Sequence, residues 1–248
     1  FWRSIVAIPL LIVMYRNISW RIQEKKIILL RILFGFGALC SFFTAAKGLY
    51  IADLSLISKV QPILVALIAP LVLGGSERAS KQLWGLIGIA MIGCIILLAP
   101  SLEVGSKYGL FAILAAIFSA NAHVLLRRMK SEHPGIIVMW FQTGSGILAC
   151  AACLLTLGTI PIPPQHLWMP LLGIGLSATL GQLFMTLAYK RTKAATVAIA
   201  SYAGPLVAVA ADVIAFGQFP SWNVYVGGSI VVFAGILLIR KTQKKTSR

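Results

Sequence analysis

Acidic side chains are scarce in this sequence. Of its 248 residues 6 are Asp or Glu, against 22 Lys or Arg, and charged residues make up 11% of the chain. A soluble domain of this length needs far more polar side chains to cover its surface. An enzyme embedded in a membrane would need paired acids or metal ligands at one depth. The shortage of acids argues against both classes of protein.

Cysteines and nucleotide-binding motifs are sparse as well. The four cysteines fall in apolar runs, and Cys150-x-x-Cys153 has no second cysteine pair or histidine partner to complete a four-ligand zinc site. Small buried side chains explain these cysteines better. The glycine-rich stretches lack the Lys-Ser/Thr ending of a P-loop. We therefore predict no metal, cofactor or ATP site.

Long apolar runs dominate what is present. The chain is 59% hydrophobic, with a mean hydropathy of +0.91. Each run approaches the roughly 20 residues that a helix needs to cross about 30 Å of hydrocarbon, and none alternates as a barrel strand does. The sequence predicts an all-α integral membrane protein, a polytopic helical bundle. Its nine predicted spans are 1–15, 27–46, 52–73, 82–99, 108–126, 134–157, 167–187, 194–216 and 225–239.

The basic residues follow a topological pattern. Of 22 Lys and Arg residues, 17 lie in one set of alternate connections and in the C-terminal tail. This distribution is typical of cytoplasmic loops, so we expect a multi-pass protein of the cell (inner) membrane with a cytoplasmic C-terminus beside anionic lipids. Nucleic-acid binding is disfavoured, because the charges are dispersed in short loops rather than gathered in one patch.

The sequence contains an internal repeat with a spacing of 143 residues. A lysine, a proline and a glycine recur in order: Lys47, Pro62 and Gly74 match Lys190, Pro205 and Gly217. The two copies are five spans apart, and an odd step inverts the second copy in a bilayer, as in many secondary transporters. The second half has five spans and the first has four. We therefore expect a five-plus-five inverted repeat whose first helix is missing from this sequence.

The residues around both prolines resemble a known family. The first copy reads Ala-x-Lys-Gly-Leu (45–49), Ala-Asp (52–53), Pro62 and Leu-Gly-Gly-Ser-Glu (73–77); the second reads Leu-Ala-Tyr-Lys (187–190), Ala-Ala-Thr-Val (194–197), Pro205 and Phe-Gly-Gln (216–218). This order resembles the drug/metabolite transporter superfamily, in its ten-helix type with two EamA domains. The sequence departs from the family in its missing first helix, in an extra residue before Glu77, and in Gln218, where the family usually has Glu.

The resemblance implies both a domain organisation and a function. It implies a first EamA-like repeat over residues 1–100, a second over 107–241, and a basic cytoplasmic tail over 242–248. It also implies secondary-active transport of a small organic metabolite by alternating access, as a permease or exporter, rather than an enzymatic activity. A non-transporting scaffold or subunit and a channel remain as alternatives.

Ionisable side chains within the spans mark the candidate solute site. Such a side chain costs about 2.5–3.5 kcal/mol on insertion scales, so each needs a reason. Lys59 lies seven residues into its predicted span, beside Gln61 and Pro62. Because proline frees a carbonyl and bends a helix, we predict a bend here that turns Lys59 and Gln61 toward an internal cavity. The alternatives are a lysine that snorkels toward the interface and a lysine held in a structural pair.

The second copy offers matching candidates. Asp212 is the acid within the spans of the second half, and it shares a helical face with Ser201 and the second predicted bend, Pro205. Lys59 and Asp212 lie at similar depths, so we predict an ion pair that closes the outer gate; exposure of Asp212 at the interface is the alternative. Tyr202 occupies the repeat position of Lys59 and is predicted to face the same cavity.

Other polar residues complete the predicted cavity. Gln182 lines it or serves as a hydrogen bond between helices. His123 relays protons or has a structural role, and Asn121 points nearly opposite to it. A lysine in the wall favours a solute with a carboxylate or phosphate, whereas Asp212 leaves room for an amino group or proton coupling. The sequence leaves import, export and oligomeric state open.

Overall fold

The computed structural model describes residues 1–98, 107–216 and 222–246, with their side chains except at positions 51, 52, 208, 211, 212, 215, 216 and 239–246. Within these stretches every regular element is a helix. The α-helices are α1 Trp2–Met14, α2 Lys25–Ala45, α3 Ile51–Ser58, α4 Gln61–Leu73, α5 Lys81–Leu98, α6 Lys107–Arg128, α7 Pro134–Leu157, α8 Trp168–Arg191, α9 Ala194–Ala200, α10 Gly204–Phe216 and α11 Trp222–Thr246. Short 3-10 turns occupy Gly75–Glu77, Gln165–Leu167 and Ser201–Ala203.

Within residues 1–98, 107–216 and 222–246, nine apolar segments follow one another in the order that the sequence predicts. Six are long and apolar enough to cross a membrane, and three shorter apolar helices lie at Trp2–Met14, Ala194–Val207 and Trp222–Leu238. Large apolar side chains point outward, among them Leu155 at 87% exposure and Leu71 at 84%. Such a surface is stable in lipid rather than in water. The prediction of an all-α, polytopic membrane fold is confirmed.

Two of the predicted spans are each divided by a short turn. The span predicted over 52–73 divides into α3 and α4, with Pro62 in the first turn of α4. The span predicted over 194–216 divides into α9, a 3-10 turn and α10, with Pro205 as the second residue of α10. Proline lacks the N–H that a helix interior requires and fits the first turn, where that N–H has no partner in the helix. Each proline therefore begins the second half of a broken helix.

A glycine ends the first broken helix. Gly74 adopts φ 94°, in the left-handed region, and its N–H bonds the carbonyl of Pro70. A residue without Cβ adopts this conformation without the steric cost that other residues bear. The first glycine of the repeated pattern is thus explained by helix termination, whereas its counterpart Gly217 lies outside the described residues.

The chain forms two compact units. Unit 1 comprises Phe1–Gly37 and Leu125–Arg191, and unit 2 comprises Ala38–Val124 and Thr192–Arg248. The boundaries fall within α2 and α6. Each unit takes residues from both predicted repeats, so the compact units differ from the repeats 1–100 and 107–241, which stay a prediction.

Unit 1 is built around α1, which packs against α7 and α8. One side chain from each helix meets in a buried apolar cluster of Leu11, Val138 and Leu183. Burial of such side chains stabilises a fold by about 1.5–3 kcal/mol each in water, but in lipid close packing carries more of the association.

Unit 2 is built around the pair α5 and α11. A Cβ placed on Gly227 of α11 would lie 2.4 Å from the backbone nitrogen of Leu97 and 2.5 Å from the carbonyl oxygen of Gly93, both on α5. Only glycine allows backbones to approach this closely. Near the start of α11, the amide of Asn223 donates to the carbonyl groups of Ile96 and Leu97. These contacts fix the two helices against one another.

Candidate functional site

The breaks in the two interrupted spans of unit 2 are joined by reciprocal hydrogen bonds. Lys59 follows the end of α3, and its ammonium donates to the carbonyl oxygen of Ser201, 3.0 Å away, at the end of α9. In return, the hydroxyl of Tyr202 donates to the carbonyl oxygen of Lys59 at 2.9 Å. Tyr202 is buried. The two residues that occupy equivalent repeat positions thus bond to one another.

Helix termination explains why these residue types occur at the breaks. The last carbonyl groups of a helix lack partners within the helix and carry its partial negative charge. A lysine ammonium and a tyrosine hydroxyl are both donors, so each supplies what the other helix end requires. A Cβ on Gly204 would lie 3.3 Å from the Lys59 ammonium nitrogen, which places this lysine against the start of α10.

A second pair of predicted site residues meets in unit 2. The side-chain nitrogen Nε2 of Gln61 lies 2.6 Å from Nδ1 of His123. With the amide as donor, Nδ1 accepts and the ring proton is assigned to Nε2. Gln61 is buried at the first position of α4. We call Lys59, Gln61, His123 and Tyr202 the unit 2 cluster; each of its side chains has a protein partner.

Two further predicted residues of unit 2 are Asn121 and Asp212. The amide of Asn121 donates to the carbonyl of Ile117, one turn earlier in its own helix α6. The side chain of Asp212 lies outside those that the structure describes. The predicted face from Ser201 through Pro205 assumed one continuous helix, but residues 201–203 form a 3-10 turn. The predicted pair of Lys59 with Asp212 therefore stays a prediction.

Gln182, the remaining predicted residue, belongs to unit 1 and bonds an arginine in the middle of a span. The side-chain oxygen of Gln182 accepts from the guanidinium of Arg31 at 3.2 Å. Arg31 is 3% exposed, and its guanidinium carbon lies 4.1 Å from the centre of the Phe141 ring. A cation over a ring face is attracted by the ring quadrupole. Arg31 is thus the buried cation of unit 1.

Sequence reasoning missed Arg31. It lies inside the span predicted over 27–46, where the insertion cost that singled out Lys59 applies equally. Arg31 stands among Leu and Ile residues without the neighbouring proline that drew attention to Lys59. The charge alone was the available signal.

A second arginine extends this region of unit 1. The guanidinium of Arg3 in α1 lies 3.5 Å from the side-chain oxygen of Gln142 in α7, at the edge of hydrogen-bonding distance. Gln142 is fully buried, and its amide nitrogen has no partner among the described residues; the same holds for Nε of Arg31. A buried donor without an acceptor costs about 1–3 kcal/mol. We call Arg3, Arg31, Gln142 and Gln182 the unit 1 cluster.

Buried glutamates cap helix starts at the ends of the bundle. Glu132 accepts from the N–H groups of Gln23 and Glu24 at 2.7 and 3.0 Å, just before α2. Glu77 accepts from the N–H of Ala194 at 3.0 Å, at the start of α9. A carboxylate near the first N–H groups of a helix is favourable for its charge and its hydrogen bonds. These acids therefore have structural partners.

The loop before α7 carries a histidine cap. Nδ1 of His133 accepts from the N–H of Gly135 at 3.1 Å. Burial, with a smaller effect from the charge of Lys190, lowers the pKa of His133. A lowered pKa keeps the imidazole neutral and Nδ1 available as an acceptor at neutral pH.

Comparison with known proteins decides the family. The model of the EamA-like transporter family matches residues 106–241, more than half of the sequence. The chain belongs to the EamA-like transporter family. The match includes Asn121, His123, Gln182 and Tyr202. An organisation in two EamA domains, with the first over residues 1–100, stays a prediction.

Relatives of this EamA-like protein are named as transporters. It is 26% identical over 243 residues to the pseudopaline exporter of Pseudomonas aeruginosa, an alignment that covers 97% of this chain and 84% of the relative. It is 26% identical over 247 residues to human solute carrier family 35 member G1, covering 94% and 67% of the two chains. The riboflavin transporter of Brucella anthropi is 25% identical over 254 residues, covering 97% and 87%.

A solved structure supports the fold. One crystal structure superposes on 94% of this EamA-like chain and 85% of its own, with a TM-score of 0.80 at 18% identity. Together with the apolar helices and the family match, these relatives identify a multi-pass membrane transporter of small solutes. The family and the relatives carry the names of transporters rather than of enzymes.

Proposed function

We propose that this protein is a secondary-active transporter that carries a small organic metabolite across the membrane by alternating access. One observation carries the proposal: two spans of unit 2 depart from α-helical geometry at equivalent repeat positions, and side-chain donors there bond backbone carbonyl groups from one span to the other. In transporters, discontinuous helices at the membrane midplane commonly form the sites for solutes and coupling ions. Helices that serve only as a scaffold have no need of such breaks.

The unit 2 cluster is proposed to sense the solute. The ammonium of Lys59 is partly exposed and has two N–H groups beyond the one that bonds Ser201. A solute acceptor that competes for this ammonium would loosen the bond between the two breaks. Gln61 and His123 supply a polar wall next to it, and proton coupling through His123 is part of the proposal.

Asp212 is proposed to complete the outer gate with Lys59. The motivation remains the similar depth of the two residues in the spans predicted over 52–73 and 194–216. If the two charges act as a pair, a double-mutant cycle on transport rates shows coupling between Lys59→Met and Asp212→Asn. Purely additive effects would remove the gate from the mechanism.

The positive-inside pattern supports the remaining topology. We infer insertion in the cell (inner) membrane with the basic C-terminal residues 242–248 in the cytoplasm. Accessibility labelling of a single cysteine introduced beyond residue 241, in intact and in opened cells, tests this inference. Labelling of intact cells would contradict it.

The test of transport is exchange in proteoliposomes. Purified protein is reconstituted, loaded with a mixture of metabolites, and challenged with the same compounds labelled outside; mass spectrometry follows each one. A transporter gives saturable uptake that is accelerated by the solute inside. Flux that rises linearly with concentration indicates a channel, and the absence of any exchange indicates a scaffold.

A matched pair of lysine variants assigns the site. Lys59→Met is expected to reduce the exchange rate about tenfold, because a charged hydrogen bond contributes about 1.5–3 kcal/mol. Lys47→Met removes the same charge from an exposed position after α2 and is expected to leave the rate unchanged. Equal rates for the two variants at matched expression would exclude Lys59 from the site.

A further inference from the structure

We propose that the unit 1 cluster binds a carboxylate group of the transported solute. The proposal rests on the proposed function and extends it, because it names the chemical class of the solute. The cluster brings two guanidinium groups and two amides together on α1, α2, α7 and α8. No carboxylate side chain of the described part of unit 1 contacts the guanidinium of Arg31. The cluster therefore carries positive charge without a balancing acid.

The cluster has many more hydrogen-bond donors than acceptors. A guanidinium has five N–H groups and an amide has two, while the acceptors within the cluster are the two amide oxygens, with Tyr189 as a further polar neighbour of Arg31. Two donor atoms, Nε of Arg31 and Nε2 of Gln142, are buried and have no partner among the described residues. Buried donors beside a positive charge call for an acceptor that carries negative charge. A carboxylate offers two such oxygens.

Neighbouring residues fix the position of the Arg31 guanidinium. Phe141 supports the guanidinium from one side at 4.1 Å. A Cβ on Gly35 would lie 2.3 Å from a terminal nitrogen of Arg31 and 2.5 Å from the Phe141 ring, so this position has no room for a methyl group. A glycine and an aromatic ring thus hold the guanidinium in one place before any ligand arrives. Such preorganisation lowers the entropic cost of binding.

The four members of the cluster differ in exposure. Arg3 and Gln182 are partly exposed, whereas Arg31 and Gln142 are buried. A guanidinium presents planar, parallel N–H groups that a carboxylate matches with two hydrogen bonds. We therefore assign the site to an organic carboxylate.

The wild-type protein provides the first test. The full chain in lipid nanodiscs is treated with phenylglyoxal, an arginine reagent, and mass spectrometry measures modification of Arg3 and of the exposed Arg16. Acetate, succinate, glutamate and citrate serve as probes, with acetamide, chloride and inorganic phosphate as controls at equal ionic strength. At ten times its dissociation constant, a carboxylate is expected to slow modification of Arg3 about tenfold. Arg16 should react at an unchanged rate.

Substitutions provide the second test, with carboxylate affinity measured from thermal stabilisation. Arg31→Met is expected to weaken affinity at least about tenfold, the lower range for a charged hydrogen bond. Arg31→Lys retains the charge but loses the planar fork and should fall between Met and wild type. Gly35→Ala displaces the guanidinium and should also weaken binding. Arg16→Met is the matched control and should bind as wild type does.

Several results would overturn the assignment. These are equal protection of Arg3 and Arg16, protection by phosphate in place of the carboxylates, protection by none of the probes, or full affinity in Arg31→Met. If Arg31→Met fails to fold, the protection experiment on the wild type decides alone. Binding is measured without a gradient, so exchange of solutes without carboxylate binding overturns only this subsite. Carboxylate binding without exchange of any solute overturns only the proposed function.

Discussion

The two units differ in how completely their polar side chains are hydrogen-bonded. In unit 2, the ammonium of Lys59 bonds the carbonyl of Ser201, which also accepts from the N–H of Gly204, and the hydroxyl of Tyr202 bonds the carbonyl of Lys59. In unit 1, the guanidinium of Arg31 has a ring and one amide oxygen beside it, and its Nε has no partner in the described part of the chain. A satisfied donor stabilises a fold, whereas an unsatisfied buried donor costs free energy and persists where it has a function.

This contrast separates two roles for charge within a membrane. In unit 2, the ammonium of Lys59 bonds a backbone carbonyl at the end of a helix and thereby stabilises the interrupted span. In the described part of unit 1, no acidic side chain contacts the guanidinium of Arg31, so the fold does not balance its charge. We infer that the unit 1 cluster binds a ligand. The unit 2 cluster, in turn, changes its hydrogen bonds when the solute binds.

The largest effect is expected where unit 2 is packed most tightly. Gly227→Ala places a methyl group 2.4 Å from the backbone of α5, so α11 has to move away. Overpacking of this kind costs about 1–3 kcal/mol. Gly235→Ala in the same helix has open space within 4 Å of its Cβ and is the matched control. Thermal unfolding in detergent measures both; equal melting temperatures would show that α5 and α11 are not held by this contact.

The reciprocal bonds between the breaks should be energetically coupled. Removal of either donor, by Lys59→Met or Tyr202→Phe, is expected to cost about 1–2 kcal/mol of unfolding free energy. Because each change loosens the same junction, the double variant should lose less than the sum, with a coupling of about 0.5–1 kcal/mol. Additive losses in the thermal unfolding of the three variants would mean that the two bonds act independently.

The smallest expected effect comes from substituting one glutamine in each unit. Gln142→Leu removes the unpartnered amide nitrogen of unit 1 and is expected to leave the melting temperature unchanged or slightly raised. Gln61→Leu removes a bond to His123 in unit 2 and is expected to cost about 1 kcal/mol. A larger loss from Gln142→Leu than from Gln61→Leu would reverse the comparison.

Much of the fold could be predicted from the sequence because it depends on hydropathy and helix-breaking residues. The apolar runs predict the helices in order, and Pro62 and Pro205 predict where two of them are disturbed. The sequence did not predict the short turns that separate the α-helical halves, at residues 59–60 and 201–203. Whether a proline bends or divides a helix depends on partners such as Tyr202, which lies 143 residues from Lys59.

The candidate site was harder to predict, since its members are distant in sequence. Gln61 and His123 were each predicted for the cavity, and the structure brings them into contact. Gln182 was predicted as well, but its partner Arg31 was not, because no local motif surrounds that arginine. The two compact units also mix residues from both predicted repeats, which repeat spacing alone does not indicate.

The most direct test of the central claim compares the ligand-free stability of Arg31→Met and Lys59→Met. Methionine fills a similar volume without charge, so Arg31→Met relieves an unbalanced buried cation and is expected to raise unfolding free energy by about 1 kcal/mol. Lys59→Met removes the charged bond to the carbonyl of Ser201, which retains its bond from the N–H of Gly204, and is expected to lower unfolding free energy by about 1–2 kcal/mol. The account predicts opposite shifts in melting temperature. Shifts of the same sign, with Arg31→Met as damaging as Lys59→Met, would contradict it.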